Sequence, residues 1–308
     1  MQKHIPVLLE PTVDALAVKP GGVYVDGTLG RAGHAGEVLA RAGAGATLVG
    51  IDRDPQALAE STERLSRFAD AKVFLVHGRH GDLAGLVRGK GIGEVDGIVL
   101  DLGVSSPQLD EAGRGFSFRA DGPLDMRMDQ TRGLTAADLV ASRSEEELTD
   151  IFRRLGEEPS ARRIARAIVR ARERSPLATT SQLADLVEQT VGRRGAHHPA
   201  TRVFQALRME VNDEMGELER ALEGGLGLLK SGGRFAVITF ESLTDRVVKR
   251  FFAAHAGKMV SLQQGGERWE GELPRVRLVT RRAVTATDEE LALNPRSRSA
   301  KLRTVERI

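Results

Sequence analysis

Four apolar runs in the first third of the chain constrain its fold more than any other feature. They are Val23 to Val25, Thr47 to Ile51, Val73 to Val76 and Val95 to Leu100, and three of them run directly into an aspartate: Asp26, Asp52 and Asp101. Helical stretches separate them. His34 to Ala42 follows the first run, and Gln56 to Phe68 follows the second, with Pro55 standing where a first helical turn begins. Short apolar strands alternating with helices predict βαβ units, and hence a parallel sheet covered on both faces. The fold class is α/β, a doubly wound, Rossmann-like sheet. Beyond Leu100 the pattern changes. Gly103 to Arg132 is rich in Gly, Pro, Asp and Ser and reads as a long structured loop. From Ala136 to Thr190 the periodicity is helical, with apolar stripes at Leu148, Ile151, Phe152 and Leu155 and at Ile164, Ile168 and Val169. Pro199 to Glu223 is helical again, Arg234 to Phe240 is a strand, Asp245 to His255 a helix and Arg275 to Thr280 a late strand. The economical organisation is a first part of the α/β domain at 1–108, a loop plus helical insertion at 109–215, and the resumed domain at 216–308.

Composition bounds the chemistry. Hydrophobic residues make up 41% of the 308 residues, enough for a packed core. There are no cysteines, which excludes a disulfide framework, a cysteine-ligated metal and a cysteine nucleophile. Met1 to Val7 lacks the apolar run of a signal peptide, and no stretch of about eighteen apolar residues occurs. A soluble, cytoplasmic protein without membrane association is expected. Net charge is only +2, but Arg162, Arg163, Arg166, Arg170, Arg172 and Arg174 crowd one segment, and Arg296, Arg298, Lys301, Arg303 and Arg307 crowd another. Such patches can follow a phosphate backbone. A solvated helix face is the ordinary alternative.

The stretch Asp26-Gly-Thr-Leu-Gly-Arg-Ala-Gly-His34 leaves the first strand and opens a helix. Glycines there let a ligand approach the backbone, and the helix start offers free N–H groups. The spacing of Gly27, Gly30 and Gly33 is G-x-x-G-x-x-G, not the dinucleotide G-x-G-x-x-G, which argues against NAD or FAD and for S-adenosylmethionine. Asp52 ends the next strand, where a carboxylate accepts from both hydroxyls of a ribose. Taken singly, the loop is a tight turn and Asp52 a helix N-cap. Taken together with Asp101 they read as a nucleoside pocket. His34 either caps the amino-acid end of the ligand or sits on the helix surface. His77 and His80 lie near the end of the third strand, where an adenine would rest, and neither has metal-ligand spacing.

Asp101-Leu-Gly-Val-Ser-Ser-Pro-Gln108 leaves the fourth strand toward the transferred methyl group. An exocyclic amine is a poor nucleophile because its lone pair is delocalised into the base. Acceptors aimed at its N–H groups localise the pair and later take the proton, and Asp101 with the Ser105-Ser106-Pro107 turn is suited to this. Pro107 is expected to hold Ser106 extended. The turn is loosely similar to the Asp/Asn/Ser-Pro-Pro-aromatic motif of amino methyltransferases, without the second Pro and the aromatic. An Asx-type turn is the plain alternative. Phe116 and Phe118 lie among glycines and arginines in a chain only 4% aromatic. Either can stack on an unpaired base, or one of them can plug the core beneath the loop.

With these residues in view, the sequence resembles the RsmH/MraW family of bacterial 16S rRNA cytosine-N4 methyltransferases almost end to end. The strings that carry the resemblance are His4 to Glu10, Asp26 to Arg31, Ile51 to Ala57, Leu100 to Leu109, Arg114 to Phe118, Gly122 to Met128, Arg163 to Ile168, His198 to Arg202, Phe204 to Arg208, Asp245 to Phe251 and Asn294 to Arg298. The resemblance implies a class I S-adenosylmethionine-dependent methyltransferase that modifies N4 of a cytidine in the decoding region of 16S rRNA. It implies cofactor contacts at Ala32, Gly33, His34, Asp52, Asp101 and Gln108, with Gly30 in the same loop, and an insertion that helps hold the RNA. The adenine-side position falls on His80, where the family usually has Phe or Tyr. Glu241 stands where the family has His. Asp101 is the first choice for accepting from N4, in competition with its cofactor role, and Arg127, Arg202 and Lys249 are candidate phosphate contacts. The expected partner is 16S rRNA, in the 30S subunit or a late assembly intermediate rather than naked. The resemblance favours a homodimer. A non-catalytic ribosome-binding factor and a small-molecule methyltransferase are the competing classes.

Overall fold

The computed structural model describes residues 5–193, 198–261, 266–270 and 273–308, so His4 of the first family string lies outside the described residues. The chain divides into two compact units, Met1–Gly103 with Gly216–Ile308, and Val104–Met215. In the first unit α1 (Leu9–Leu16) precedes β1 (Val23–Asp26), followed by α2 (Gly33–Ala42), β2 (Thr47–Asp52), α3 (Pro55–Leu65), β3 (Lys72–His77), α4 (Leu83–Arg88) and β4 (Val95–Asp101). The second unit contains α5 (Ser106–Asp110), α6 (Ala136–Ser142), α7 (Glu145–Arg154), α8 (Ala161–Arg172), α9 (Thr180–Val191) and α10 (Thr201–Val211). Helix α11 (Glu214–Leu226) leads back to β5 (Leu229–Thr239), α12 (Ser242–Ala256), β6 (Lys258–Ser261), β7 (Glu267–Glu270), β8 (Val276–Leu278), α13 (Asp288–Leu293) and β9 (Lys301–Arg307).

The main sheet has the order β3-β2-β1-β4-β5-β9-β8. Strands β1 to β5 are parallel, and β9 lies antiparallel between β5 and β8. Alternation along each strand splits the core between two faces. Val25, Val49, Ile98 and Phe235 pack with Leu83 of α4, Leu222 of α11 and Val248 of α12. Their neighbours Tyr24, Leu48, Val99 and Ala236 pack with Val13 and Leu16 of α1 and Val38 and Leu39 of α2. Each such side chain, fully buried, is worth about 1.5–3 kcal/mol, which is why both faces stay covered. The doubly wound arrangement expected from the alternation is the one found. Because the strands are parallel, Asp26, Asp52 and Asp101 all finish at the same edge of the sheet.

The structure departs from the sequence reading at several places. Strand β5 starts at Leu229 rather than Arg234: Leu229 pairs with Val95 of β4 and Arg234 with Gly97, and Lys230 to Gly233 bulge out between these two pairs, with Gly232 at φ +75°. Strand β9 was not expected at all. The C-terminal cationic stretch, read as a phosphate-following patch or a solvated helix face, contains an interior strand. There Arg303 grips Asp245 through Nε at 2.6 Å and Nη2 at 3.1 Å, and Arg307 donates to the Arg275 carbonyl at 3.0 Å. The region after β4 is not loop throughout. Ser105, at φ −72° and ψ 158°, is the extended residue, and Ser106 already belongs to α5. Proline is tolerated there because a first-turn N–H has no intrahelical partner to lose.

Within the second unit, helices start on side chains that accept from their own first turn: Thr135 from Asp138 N–H, Ser144 from Glu147 N–H and Thr179 from Gln182 N–H. Buried apolar stripes follow, including Leu148, Ile151 and Phe152 on α7 and Ile164 and Ile168 on α8. The arginine-rich face of α8 is partly committed. Arg166 pairs with Glu145 at 3.3 Å, Arg163 donates to the Thr190 carbonyl and Arg172 to the Val140 and Arg143 carbonyls. No helix among the described residues is long and apolar enough to cross a membrane.

Candidate functional site

The turn after β1 is built from its own sequence. Gly30 at φ +50° and Ala32 at φ +53° both take the left-handed conformation, which lets the chain double back into α2. A Cβ on Gly27 would stand 2.5 Å from Leu100 Cδ2, so only glycine lets the loop lie this close to β4. Asp52 binds the loop directly. Its Oδ2 accepts the Gly30 N–H at 2.7 Å and its Oδ1 the Asp54 N–H at 2.8 Å. The cap of α3 is Asp54, which accepts from Gln56 N–H at 3.1 Å, so Asp52 is not that helix's N-cap. A carboxylate oxygen offers more than one acceptor direction, so Asp52 retains capacity for a ligand's hydroxyls.

Thr28 ties the turn to the next strand, because its Oγ1 accepts the Asp101 N–H at 2.6 Å. Thr28 and Asp26 belong to the glycine-loop string but were given no role of their own from sequence. A hydroxyl one residue past Asp-Gly carries no signal until β4 is known to lie beside it. Asp26, 3% exposed, accepts the Thr28 N–H and has its carboxyl pushed up to about 6, mainly by burial, with the carboxylates of Asp101 and Asp52 adding to the rise. Burial likewise raises the Asp52 carboxyl, and it pushes Asp101 up to about 7. The Asp101 side chain is 27% exposed, yet its Oδ1 is buried and has no hydrogen-bond partner. Its Oδ2 lies 3.8 Å from His34 Nδ1. His34 is on the buried face of α2, not its surface, and its pKa is lowered by burial.

His80 follows β3 in a short 3-10 turn, with its Nε2 buried and without a hydrogen-bond partner. Burial, reinforced by the positive charges of Arg53 and Arg220, pushes its pKa down to about 3, so the ring is neutral. The backbone beside it is fixed by Glu217 of α11, whose Oε2 accepts the Gly81 N–H at 2.8 Å while Oε1 takes Arg79 and Arg220. The sequence gives no hint of that buried glutamate. His77 is spent on the Arg53 carbonyl at 3.0 Å. The first unit thus gathers Gly30, Ala32, Gly33, His34, Asp52, His80 and Asp101 on the loops at one sheet edge. In open α/β sheets, ligands bind at that edge. Glu241 stands at the N-cap position of α12, past the end of β5, and Lys249 lies on the exposed face of that helix.

In the second unit Gln108 is 5% exposed and its Oε1 accepts the Ser105 N–H at 3.0 Å, closing a capping box around Ser105, Ser106 and Pro107. Phe116 is the buried member of the aromatic pair. Phe118 is half-buried, 4.6 Å from the His198 ring and 4.8 Å from Phe204. Arg127 is already held by both oxygens of Asp125, at 2.9 and 2.8 Å. Arg202 is exposed and donates to the Glu157 carbonyl at 3.0 Å. The Gly122 to Met128 string is pinned by Asn212, which accepts the Met128 N–H at 2.9 Å and donates to the Met126 carbonyl at 2.8 Å. That contact gives the segment a shape-keeping role.

The model of the MraW methylase family matches residues 1–308. The chain belongs to the MraW methylase family. Relatives of known name agree. A protein from Pelobacter propionicus is 50% identical, covering 99% of each chain, and one from Nitratidesulfovibrio vulgaris is 51% identical, covering 99% of this chain and 95% of its own. A third, from Symbiobacterium thermophilum, is 48% identical over 99% and 96%. All three are named ribosomal RNA small subunit methyltransferase H. For a chain of this methylase family the methyl donor is S-adenosylmethionine. The site's chemistry fits that donor. It is a sulfonium cation carrying a ribose, and three carboxylates ending adjacent strands β2, β1 and β4 form an anionic cluster that a cation relieves.

Proposed function

We propose that this chain methylates N4 of a cytidine in the decoding region of 16S rRNA, at the P site. The observation that carries the reading is Asp101, a carboxylate at the end of β4 with one oxygen lacking any partner, in a chain that matches a methylase family from end to end. Asp52 would accept from the ribose hydroxyls of the donor, the turn from Gly30 to His34 would hold its methionine end, and His80 would lie against its adenine. The donor supplies an electrophilic methyl group. The chain's own part is to orient the cytosine amine, localise its lone pair on nitrogen and take its proton. Asp101 of the first unit is assigned that part, and the Ser105-Ser106-Pro107 turn of the second unit is a separate candidate for it. The base has to be unpaired to enter, and RNA contacts are assigned separately, to Phe118 and Arg202 on the second unit and to Lys249 on the first. Arg127 is a weaker phosphate candidate because Asp125 already neutralises it. The names of the relatives support the small-subunit RNA as substrate. We place the reaction in the cytoplasm, on a 30S particle or late assembly intermediate. Nucleoside mass spectrometry of 16S rRNA from cells with and without the protein tests this. Loss of N4-methylcytidine, restored by wild-type protein and not by Asp101→Ala, is expected. An unchanged modification profile without the protein refutes it.

A further inference from the structure

His34 is 5% exposed and is held on two sides. Its Nε2 stands 3.0 Å from the Val7 carbonyl oxygen. A carbonyl only accepts, so Nε2 carries the hydrogen and the neutral ring keeps its lone pair on Nδ1. That lone pair faces Asp101 Oδ2 at 3.8 Å. The Val7 carbonyl is itself fixed. The following N–H, of buried Leu8, donates to Glu290 Oε1 of α13 at 2.7 Å, and Asn294 Nδ2 donates to the Ile5 carbonyl at 3.0 Å. Pro6 packs against Gly33 so closely that a Cβ there would stand 2.3 Å from its Cγ. Residues 5–8 thus form a strap across the start of α2, and the strap sets the tautomer of His34.

A lone pair facing a carboxylate repels it unless a proton lies between them. We infer that His34 and Asp101 work as one coupled proton acceptor, in which Asp101 takes the proton released on methylation and His34 Nδ1 receives it in turn. His34 acts through Asp101 and is a positioning residue in this sense. The inference rests on the methyl-transfer reading of the site. The amine nitrogen forms its bond to the methyl carbon as the methyl's bond to sulfur breaks, and the sulfur keeps that electron pair. The nitrogen, now positive, gives one N–H proton to Asp101. The carboxyl passes it to Nδ1, the ring becomes an imidazolium with both nitrogens protonated, and water later removes the proton. The charged groups that act on the ring are Asp26 on β1 and Glu290 on α13, both carboxylates, and they favour the imidazolium. Burial raises the Asp101 carboxyl to about 7 and lowers His34, so Asp101 holds the proton first, and its passage to Nδ1 is drawn onward when water removes the proton from the ring. The 3.8 Å separation is longer than a direct hydrogen bond, and such contacts commonly tighten when ligands bind.

His34→Gln tests the pairing, because it keeps an N–H able to reach the Val7 carbonyl and has no acceptor at the Nδ1 position. Methyl transfer to 30S particles is measured at saturating S-adenosylmethionine from about pH 5.5 to about pH 9, with cofactor affinity measured separately by calorimetry. In parallel, 15N NMR follows the His34 ring in the cofactor-free wild-type protein and in Asp101→Asn. The expected result is a wild-type rate that rises through neutral pH to a plateau. In His34→Gln it falls by a factor on the order of 100 even at saturation, with the rise displaced. The NMR spectrum should show an Nε2–H tautomer whose titration moves in Asp101→Asn. A His34→Gln enzyme with wild-type rate and pH profile at saturation overturns the inference, whatever its cofactor affinity. So does an Nδ1–H tautomer, or a His34 titration indifferent to Asp101→Asn. If wild-type protein transfers no methyl group to the RNA, the functional proposal fails, while the NMR measurement still decides the coupling.

Discussion

Asp101→Asn should make the cofactor-free protein more stable and the enzyme nearly inactive. The carboxyl sits at about 7 rather than the ordinary 3.8, and burial is the cause. At about 1.36 kcal/mol per pH unit, ionising it in the folded protein costs up to about 4 kcal/mol. The side chain is 27% exposed, so water screens part of that penalty, and about 2 kcal/mol is the expected remainder. The sign follows from linkage. Below about pH 4 the group is protonated in both folded and unfolded chains, and no penalty applies. Between about pH 4 and about pH 7 the unfolded chain ionises while the folded one holds its proton, so wild-type stability falls as pH rises. Above about pH 7 the loss is complete. Asparagine has almost the same shape and never ionises. Urea melts of both proteins at a series of pH values should therefore show the variant's advantage growing between about pH 4 and about pH 7 and then levelling, worth a few degrees in a thermal melt. Methyl transfer in the same variant should fall by a factor on the order of 100 or more. A stability difference that is flat across that pH range refutes the claim that burial penalises this carboxylate.

Three other outcomes follow from the geometry. Asp52→Ala removes the acceptor for the Gly30 and Asp54 N–H groups and should weaken S-adenosylmethionine binding by about 2–3 kcal/mol, read by calorimetry, with unchanged affinity counting against the ribose-side assignment. Gly33→Ala forces a methyl group into Pro6 and should cost about 1–3 kcal/mol, whereas Gly85→Ala, in a helix with nothing within 4 Å of the new carbon, should be neutral or stabilising by about 0.5–1 kcal/mol. Equal melting temperatures for the two would contradict the close strap. Arg303→Ala leaves the buried Asp245 with Lys301 alone and should cost about 2–3 kcal/mol near neutral pH. Because the ion pair depresses the Asp245 carboxyl, that stability is present above the ordinary carboxylate range and disappears as pH falls through the folded value, so the melts of variant and wild type should converge in acid.

The parallel half of the sheet was readable because β1, β2 and β4 are largely buried and, with the half-buried β3, appear as short apolar runs, broken only by Asp96 in β4. The glycine turn and Asp52 were readable because both constraints are local: left-handed backbone at Gly30, and a carboxylate at a strand end. Strand β9 was hidden because Lys301, Arg303, Glu306 and Arg307 give it a polar composition. Leu302, Thr304 and Val305 do bury, but three inward residues among four charged ones look like a surface segment. The extension of β5 was hidden by Ser231, Gly232 and Gly233, which break the apolar pattern and lie in the bulge itself. Within the site, the missed residues are those whose role depends on distant partners. Val7 and Glu290 meet His34 from opposite parts of the sequence, and Glu217 finds Gly81 from α11. No spacing rule reports such contacts. His34 itself was legible as a site residue, and what the structure adds is the direction of its two nitrogens.

Lys230 and Asp96 form an ion pair at 2.9 Å although they stand 134 positions apart in the chain. They mark the start of the β4–β5 pairing, with the whole second unit inserted between the two strands. Loop-closure entropy grows only with the logarithm of loop length, each doubling adding about 0.6 kcal/mol, so the excursion costs little final stability. Its effect is on the order and speed of assembly. Strands β1 to β4 can pair as soon as they are made, while the outer edge of β4 stays bare until all the intervening helices have been synthesised and β5 arrives. A bare parallel edge is a template for the wrong partner. The protein is therefore most exposed to aggregation during its own synthesis, in the interval between Asp101 and Leu229.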